Sequence, residues 1–294
     1  MNGFAPSDSQ GNYKRPKGII LNKNYDFNSN SEEFFLLVGN SCPWCHRTLL
    51  AYQIKNLSKK VKIIYLKANI NSGQWIFYKE FMGCNTLYEF YKKAGRGDTF
   101  RATIPLLVSC EKDFINILSS ESNQIVKLLN SIKNKSSQPL LQIYNCDQEL
   151  IKLIHHQIND GVYKCGFARN QSSYERASKS LFIALTKIES ILDKKLGDWI
   201  CGEKLTYADI FLFPTLIRWE LIYSKLFKCT EKEISDFKNI MKWRFKFYML
   251  NKVSDTCFDY EWKKDYYKAL FPLNPNQIIP LLPSIEEIIK SPLK

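Results

Sequence analysis

One stretch constrains this chain more than any other: Gly39-Asn40-Ser41-Cys42-Pro43-Trp44-Cys45-His46-Arg47. The apolar run Phe34 to Val38 precedes it and predicts a buried strand over 34–38, and the following residues predict a helix over 44–57. The two cysteines therefore fall at a strand-to-helix turn. Pro43 suits the first helical position, where its missing N–H has no partner to lose. Cys42 then sits just before the first turn, facing unpaired N–H groups and the positive end of the helix dipole, and both favour the thiolate. This pattern predicts a thiol–disulfide exchange site, with Cys42 as nucleophile and Cys45 as a candidate resolving thiol.

Other readings of the spacing compete. Cys42-Pro43-Trp44-Cys45-His46 matches the haem-attachment pattern C-x-x-C-H, but Met1-Asn2-Gly3-Phe4-Ala5-Pro6-Ser7 lacks the basic-then-apolar plan of a signal peptide. A zinc site needs a second ligand pair, and the cysteines at 84, 110, 146, 165, 201, 229 and 257 are scattered singly. No metal is expected. The plain structural alternative is two buried cysteines at a helix start. The proline between them and the strand before them favour redox work.

The chain has 294 residues, enough for two domains, and no apolar run long enough to span a membrane. Nine widely spaced cysteines fit a reducing compartment, so a cytoplasmic location is expected and the sequons at Asn56 and Asn170 carry no meaning. The net charge of +13 comes from lysines spread along the chain without a stripe or tail. No nucleic-acid motif accompanies it, and neither nucleic acid nor membrane is expected as a partner. A basic surface also suits a small anionic substrate.

In chain order, residues 1–33 read as an irregular arm, 34–135 as a mixed domain and 147–294 as an all-helical one. A second strand is predicted over 61–67, then a long polar and aromatic insertion from Ala68 to Thr99. Arg101-Ala102-Thr103-Ile104-Pro105 leads into an apolar strand. A proline there cannot pair inside a sheet: either the Ile104–Pro105 peptide is cis, exposing the Ile104 backbone, or the strand is an edge. A fourth strand (112–118) and a helix opened by Ser119-Ser120-Glu121-Ser122 and running to Ile132 follow. The hydroxyls, carboxylate and N–H groups of that opening can hold the charged ends of a ligand. The order is that of a thioredoxin-like fold. Residues 133–146 read as a linker, and helices are predicted over 147–160, 172–195, 206–227, 231–250 and 258–270. Leu205-Thr206-Tyr207-Ala208-Asp209-Ile210 is a capping box with a hydrophobic staple, a structural feature with no chemistry assigned to it.

A thioredoxin-like half followed by a helical half with this box resembles the cytosolic glutathione transferases. Finer motifs narrow the resemblance: Cys42-Pro43-Trp44 with His46-Arg47-Thr48, Arg101-x-Thr103-Ile104-Pro105, Glu121-Ser122, Gly161-Val162-Tyr163-Lys164-Cys165-Gly166-Phe167-Ala168, Phe227-Lys228-Cys229 and Asn274-Pro275. Over residues 35–283 the chain resembles the glutathionyl-hydroquinone reductases, the Xi class. The resemblance implies glutathione as co-substrate, aromatic glutathione conjugates as substrates, and a homodimer. It implies Cys42 as nucleophile, Trp75 packing on glutathione, and Arg101 near its carboxylate. Ile104 would pair with the cysteinyl backbone, Glu121 and Ser122 would grip the γ-glutamyl end, and Tyr163 and Tyr266 would line a quinol pocket. Two departures stand out: Cys45 where the family usually has Ala, and Gln74 where it usually has Gly. The restored dithiol keeps open an Omega-type thioltransferase or dehydroascorbate reductase. A non-catalytic interaction module is the reading from another class.

Overall fold

The computed structural model describes the chain apart from residues 1–4, 15–24, 26, 28–31, 70–71, 98–100, 134–141, 195, 271–272 and 291–294. Most of the linker expected over 133–146, and much of the arm, lie outside the described residues. The chain divides into two compact units. One comprises Lys17–Gln142 with Asp255–Asp265, and the other Ile143–Ser254 with Met1–Pro16 and Tyr266–Lys294.

The first unit is built on six strands: β1 (Glu33–Gly39), β2 (Val61–Ala68), β3 (Trp75–Phe81), β4 (Cys84–Thr86), β5 (Leu106–Glu111) and β6 (Phe114–Ser119). They form one sheet in the order β4-β3-β2-β1-β5-β6. Only β1 and β2 run parallel; the other pairs are antiparallel. Every residue of β1 from Phe34 to Val38 is buried, as a central strand covered on both faces requires. The crossover between β1 and β2 is α1 (Pro43–Ile54), and α3 (Ser122–Ser131) packs beside it.

The region from Ala68 to Thr99, expected to be an insertion, instead contributes β3, β4 and α2 (Leu87–Lys93). Two local signals account for this. Met82 and Gly83 both take positive φ (51° and 72°), the pair of angles a tight hairpin needs. Thr86 and Glu89 form a capping box: Glu89 N–H donates to Thr86 Oγ1 at 3.1 Å, and Thr86 N–H to Glu89 Oε2 at 3.1 Å. Asp255–Asp265 joins this unit through side chains. His46 Nε2 lies 2.8 Å from Thr256 Oγ1, Trp262 Nε1–H donates to Asn40 O at 2.9 Å, and Ser41 Oγ–H donates to Asp265 Oδ2 at 2.5 Å.

The second unit is helical: α4 (Gln148–Leu153), α5 (Asp160–Gly166), α6 (Gln171–Lys194), α7 (Tyr207–Leu216), α8 (Lys238–Tyr248), the end of α9 (Asp259–Ala269) and α10 (Ile285–Lys290). Two π-helical segments interrupt it, Ile154–Asn159 between α4 and α5, and Trp219–Tyr223 after α7. The single helix expected over 206–227 therefore breaks. Pro214 removes one N–H from the α7 ladder, and buried side chains serve the carbonyls around it. Asn159 Nδ2–H donates to Phe211 O at 3.0 Å, and Arg218 Nη1–H to Pro214 O at 2.9 Å. The capping box at 206–209 is buried and does more than cap. Asp209 accepts from Thr206 N–H (2.8 Å), Ile200 N–H (2.9 Å) and Trp243 Nε1–H (2.8 Å). The described part of the arm belongs here too: Arg169 Nη2–H donates to Ala5 O at 2.8 Å, and Tyr13 lies 5.5 Å from Phe167, ring to ring.

Candidate active site

The turn between β1 and α1 has the predicted form. Cys42 is the N-cap of α1, with extended backbone (φ −76°, ψ 118°), and Pro43 takes the first helical position. Cys42 N–H donates to Gly39 O at 3.1 Å, and His46 N–H closes the first helical bond onto Cys42 O at 3.0 Å. The chain is thus fixed on both sides of the thiol. None of the nine cysteines is in a disulfide; Cys42 is half-buried, whereas Cys45 is fully buried and accepts Gly39 N–H at 3.5 Å. The two sulfurs of the C-x-x-C therefore have different surroundings: one reachable, one enclosed.

Gly39 explains how three predicted residues converge. A Cβ built there would lie 2.4 Å from the Trp75 ring and 2.8 Å from Ile104 Cδ1. Trp75, first in β3, and Ile104 thus close over the last residue of β1, three positions before Cys42. The Ile104–Pro105 peptide is cis. Tyr91 Oη–H holds the preceding turn by donating to Thr103 O at 2.9 Å. On the other flank, Glu121 is the N-cap of α3 and Ser122 its first residue. Arg47, buried in α1, donates from Nη1 to Ser122 Oγ (3.3 Å) and Asn123 Oδ1 (2.8 Å), and lies 4.2 Å over the Trp44 ring. A buried guanidinium thereby ties the start of α3 to the helix that carries Cys42. Arg101 is exposed, with no side-chain partner that fixes it among the described residues.

Reasoning from sequence missed two residues here. Arg47 enters the sequence reading only as part of a motif, and Asp265 does not enter it. Burial raises the Asp265 carboxyl above the ordinary range, against the pull of the Ser41 hydroxyl.

In the helical unit Tyr163 and Tyr266 do come together, their hydroxyls 2.6 Å apart. Tyr223 joins them at 3.3 Å from Tyr266 Oη and was not anticipated. Phe227 packs 5.2 Å from Tyr163 and 5.9 Å from Tyr266, ring to ring. Burial first, then the Tyr223 phenol, holds the Tyr266 hydroxyl well above its ordinary range of about 10, while the Arg218 guanidinium and the Tyr163 hydroxyl pull the other way. Tyr266 therefore stays a proton donor at neutral pH, in a chain of three phenols beside a fixed positive charge. Arg218 is legible in principle: it is the one cation in the mostly apolar run from Ile210 to Ile222, which also holds Glu220, and a charge in such a run is either paired or functional. Elsewhere in this unit the π turn at Ile154–Asn159 brings ligand-type atoms of His155, His156 and Asp160 within 4.8 Å of one another.

Comparisons with known proteins bear on the fold and the family. Residues 171–244 match the glutathione S-transferase C-terminal domain family. The chain is 31% identical over 270 residues to the glutathionyl-hydroquinone reductase PcpF of Sphingobium chlorophenolicum, covering 88% of this chain and 85% of that one. Among solved structures it is similar to the Xi glutathione transferase of Phanerochaete chrysosporium, with a TM-score of 0.84, 26% identity and 96% of both chains covered. The glutathione-bound structure of YqjG from Escherichia coli gives a TM-score of 0.77 at 28% identity, covering 85% of this chain and 84% of that one. An α/β thiol-bearing unit, a helical unit with a tyrosine cluster, and these likenesses lead to one conclusion: the chain belongs to the glutathionyl-hydroquinone reductases, the Xi class of glutathione transferases, a family of glutathione-dependent enzymes.

Proposed function

We propose that this enzyme removes glutathione from glutathionyl-hydroquinones. Cys42 is the nucleophile, and the observation that carries the reading is its place as a half-buried N-cap thiol beside the Trp75–Ile104 cover of Gly39. A thiolate there is stabilised by the helix start and remains open to attack. Trp75 packs on glutathione, the Ile104 backbone pairs with its cysteinyl part, Glu121 and Ser122 hold the γ-glutamyl end, and Arg101 attracts a carboxylate.

The Cys42 thiolate attacks the sulfur of the conjugate. A Cys42–glutathione disulfide forms, the sulfur–aryl bond breaks, and its electron pair goes to the ring carbon, which takes a proton. Tyr163 and Tyr266 hydrogen-bond the quinol oxygens and assist that proton transfer, which makes the carbon a workable leaving group. A second glutathione thiolate then attacks the mixed disulfide, releasing oxidised glutathione and restoring Cys42. Cys45 either resolves that intermediate or only shortens its lifetime. Its enclosure at the Gly39 N–H favours the lesser role.

The test is turnover of a glutathionyl-hydroquinone with glutathione, followed by mass spectrometry of trapped Cys42. A glutathione adduct at Cys42 and release of the hydroquinone are expected. Turnover without any adduct, or failure of the protein to bind immobilised glutathione, would overturn the reading.

Cys45 supports a second reading, an Omega-type thioltransferase. Competition between a glutathionyl-hydroquinone and a glutathionylated peptide or dehydroascorbate on one preparation decides between them. The same family reading makes the enzyme a cytoplasmic homodimer, checked by light scattering and by fractionation. Among the described residues no helix is long and apolar enough to cross a membrane.

A further inference from the structure

Four cysteines of the helical unit form two contacting pairs, and the pairs differ in access. Cys165 on α5 touches Cys229, and both are buried. Burial first, then the Cys165 sulfur, pushes the Cys229 thiol up. That pair is packing. Cys146 and Cys201 are half-buried, and both line a cleft of about 400 Å³ together with Asp147, Glu149 and Lys187.

Backbone structure holds this second pair from both sides. Tyr144 bridges to the start of α7: Tyr144 N–H donates to Leu205 O at 2.8 Å, and Tyr207 N–H to Tyr144 O at 3.1 Å. Two residues on, the Cys146 sulfur meets the Ala208 N–H and the Cys201 side chain. Cys201 stands in a tight turn in which Trp199 and Gly202 exchange both backbone bonds at 2.9 Å. Asp209 clamps that turn through Ile200 N–H, and Thr206 Oγ1 lies 3.6 Å from Cys201 Sγ. The hydrogen bond to Cys201, then burial, pushes the Cys146 thiol up, so Cys146 keeps its proton and presents it to Cys201.

We propose that Cys146 and Cys201 are a second redox site, a dithiol that glutathione disulfide closes reversibly to an intramolecular disulfide. Cys201, its proton released to solvent, attacks one sulfur of glutathione disulfide; the Cys201–glutathione bond forms as the disulfide bond breaks, and the glutathione thiolate that leaves takes up a proton. Cys146, its proton passed to solvent, then attacks the Cys201 sulfur, expels the second glutathione and closes the Cys146–Cys201 bond. Two protein thiols are oxidised and one glutathione disulfide is reduced to two thiols; excess glutathione runs both steps backwards. The oxidant is the product of the cycle proposed above, so its source rests on that reading. The site itself does not. Lys187 offers a cation to the oxidant's carboxylates, whereas Asp147 and Glu149 repel them, so the cleft suits brief exchange rather than tight binding.

The test uses the full chain carrying Cys42→Ser and Cys45→Ser, so that α1 contributes no exchange. The protein is equilibrated in glutathione buffers of increasing disulfide fraction, alkylated, digested and mapped by mass spectrometry. A peptide pair linked through Cys146 and Cys201, two hydrogens lighter than its parts, is expected to grow with the disulfide fraction and vanish on return to glutathione, while Cys165 and Cys229 stay unlinked. Closing a long loop should also raise the thermal midpoint by several degrees. That rise should be lost in Cys201→Ser or, if that variant does not fold, in Cys146→Ser. Full alkylation of both cysteines at every ratio, glutathione adducts that never link, or equal linking of Cys165 and Cys229 would each overturn the proposal. If the variant closes this disulfide while the unsubstituted protein, with Cys42 intact, shows no activity on glutathionyl-hydroquinones, the reading of Cys42 fails and the second site stands.

Discussion

The thiol turn and the tyrosine cluster are assembled in opposite ways. The backbone frame of Cys42 is set within a few residues of it, by a strand end, a proline, a helix start and the bond to Gly39 O, and distant residues only brace that frame through Asn40 and Ser41. The phenols come from Tyr163 on α5, Tyr223 at the end of a π turn and Tyr266 on α9, separated in sequence by 103 and 43 positions in their two hydroxyl contacts. A site made by local backbone is inherited with its motif. A site made by tertiary convergence depends on the register of every helix that feeds it.

That contrast can be broken most directly at Cys42. Cys42→Ser should cut turnover of a glutathionyl-hydroquinone by at least about 10³-fold, because a hydroxyl beside a helix start remains protonated and cannot form the mixed disulfide. Retention of a tenth of the activity would mean that chemistry does not begin at the turn. Tyr266→Phe tests the other assembly. It removes the phenol that contacts both partners and should lower kcat by about 10- to 100-fold with the KM for glutathione unchanged. A change in KM alone would make the cluster a binding feature.

Gly39→Ala probes the join between motif and sheet. Its new carbon would lie 2.4 Å from the Trp75 ring. A loss of about 1–3 kcal/mol in denaturant unfolding is expected, with weaker retention on immobilised glutathione. Unchanged retention would remove Trp75 from the glutathione contacts. Cys45→Ser should alter kcat/KM by less than about threefold, or ~0.7 kcal/mol. Its total loss of activity would replace the monothiol scheme with a dithiol one.

The smallest signal is spectroscopic. Tyr266 has its folded pKa raised above the ordinary value of 10.0, so the native state keeps a proton that the unfolded state gives up. Its contribution to stability is therefore fully present below about pH 10 and is lost as pH climbs toward the folded value. In the native protein, tyrosinate absorbance near pH 10 should be the same with and without Tyr266→Phe.

How much of this was legible in the sequence follows the same division. The strand, the N-cap cysteine and the alternatives for Pro105 were read from adjacent residues, because the physics involved acts over one helical turn. The capping box at 206–209 stands out in the sequence, yet its equal at 86–89 is hidden inside a stretch whose composition suggests an insertion. A third stands at the start of α10, where Ser284 N–H donates to Glu287 Oε2 at 2.7 Å and Glu287 N–H to Ser284 Oγ at 3.2 Å. Both are legible by the same rule. Tyr163 and Tyr266 were singled out only through resemblance. Tyr223 has no local pattern to mark it, and Arg218 shows itself only as a charge in an apolar run, since nothing in the order of residues states which helix faces will converge.

The π segment at Trp219–Tyr223 sharpens that last point. A π turn houses one residue more than an α turn, so everything beyond it is rotated by about 100° about the axis relative to an uninterrupted helix. Trimming a single amino acid there would leave the composition of the cluster intact and swing Tyr223 away from its neighbours. Chain length between two fixed points therefore shapes the cluster as much as the identity of any phenol.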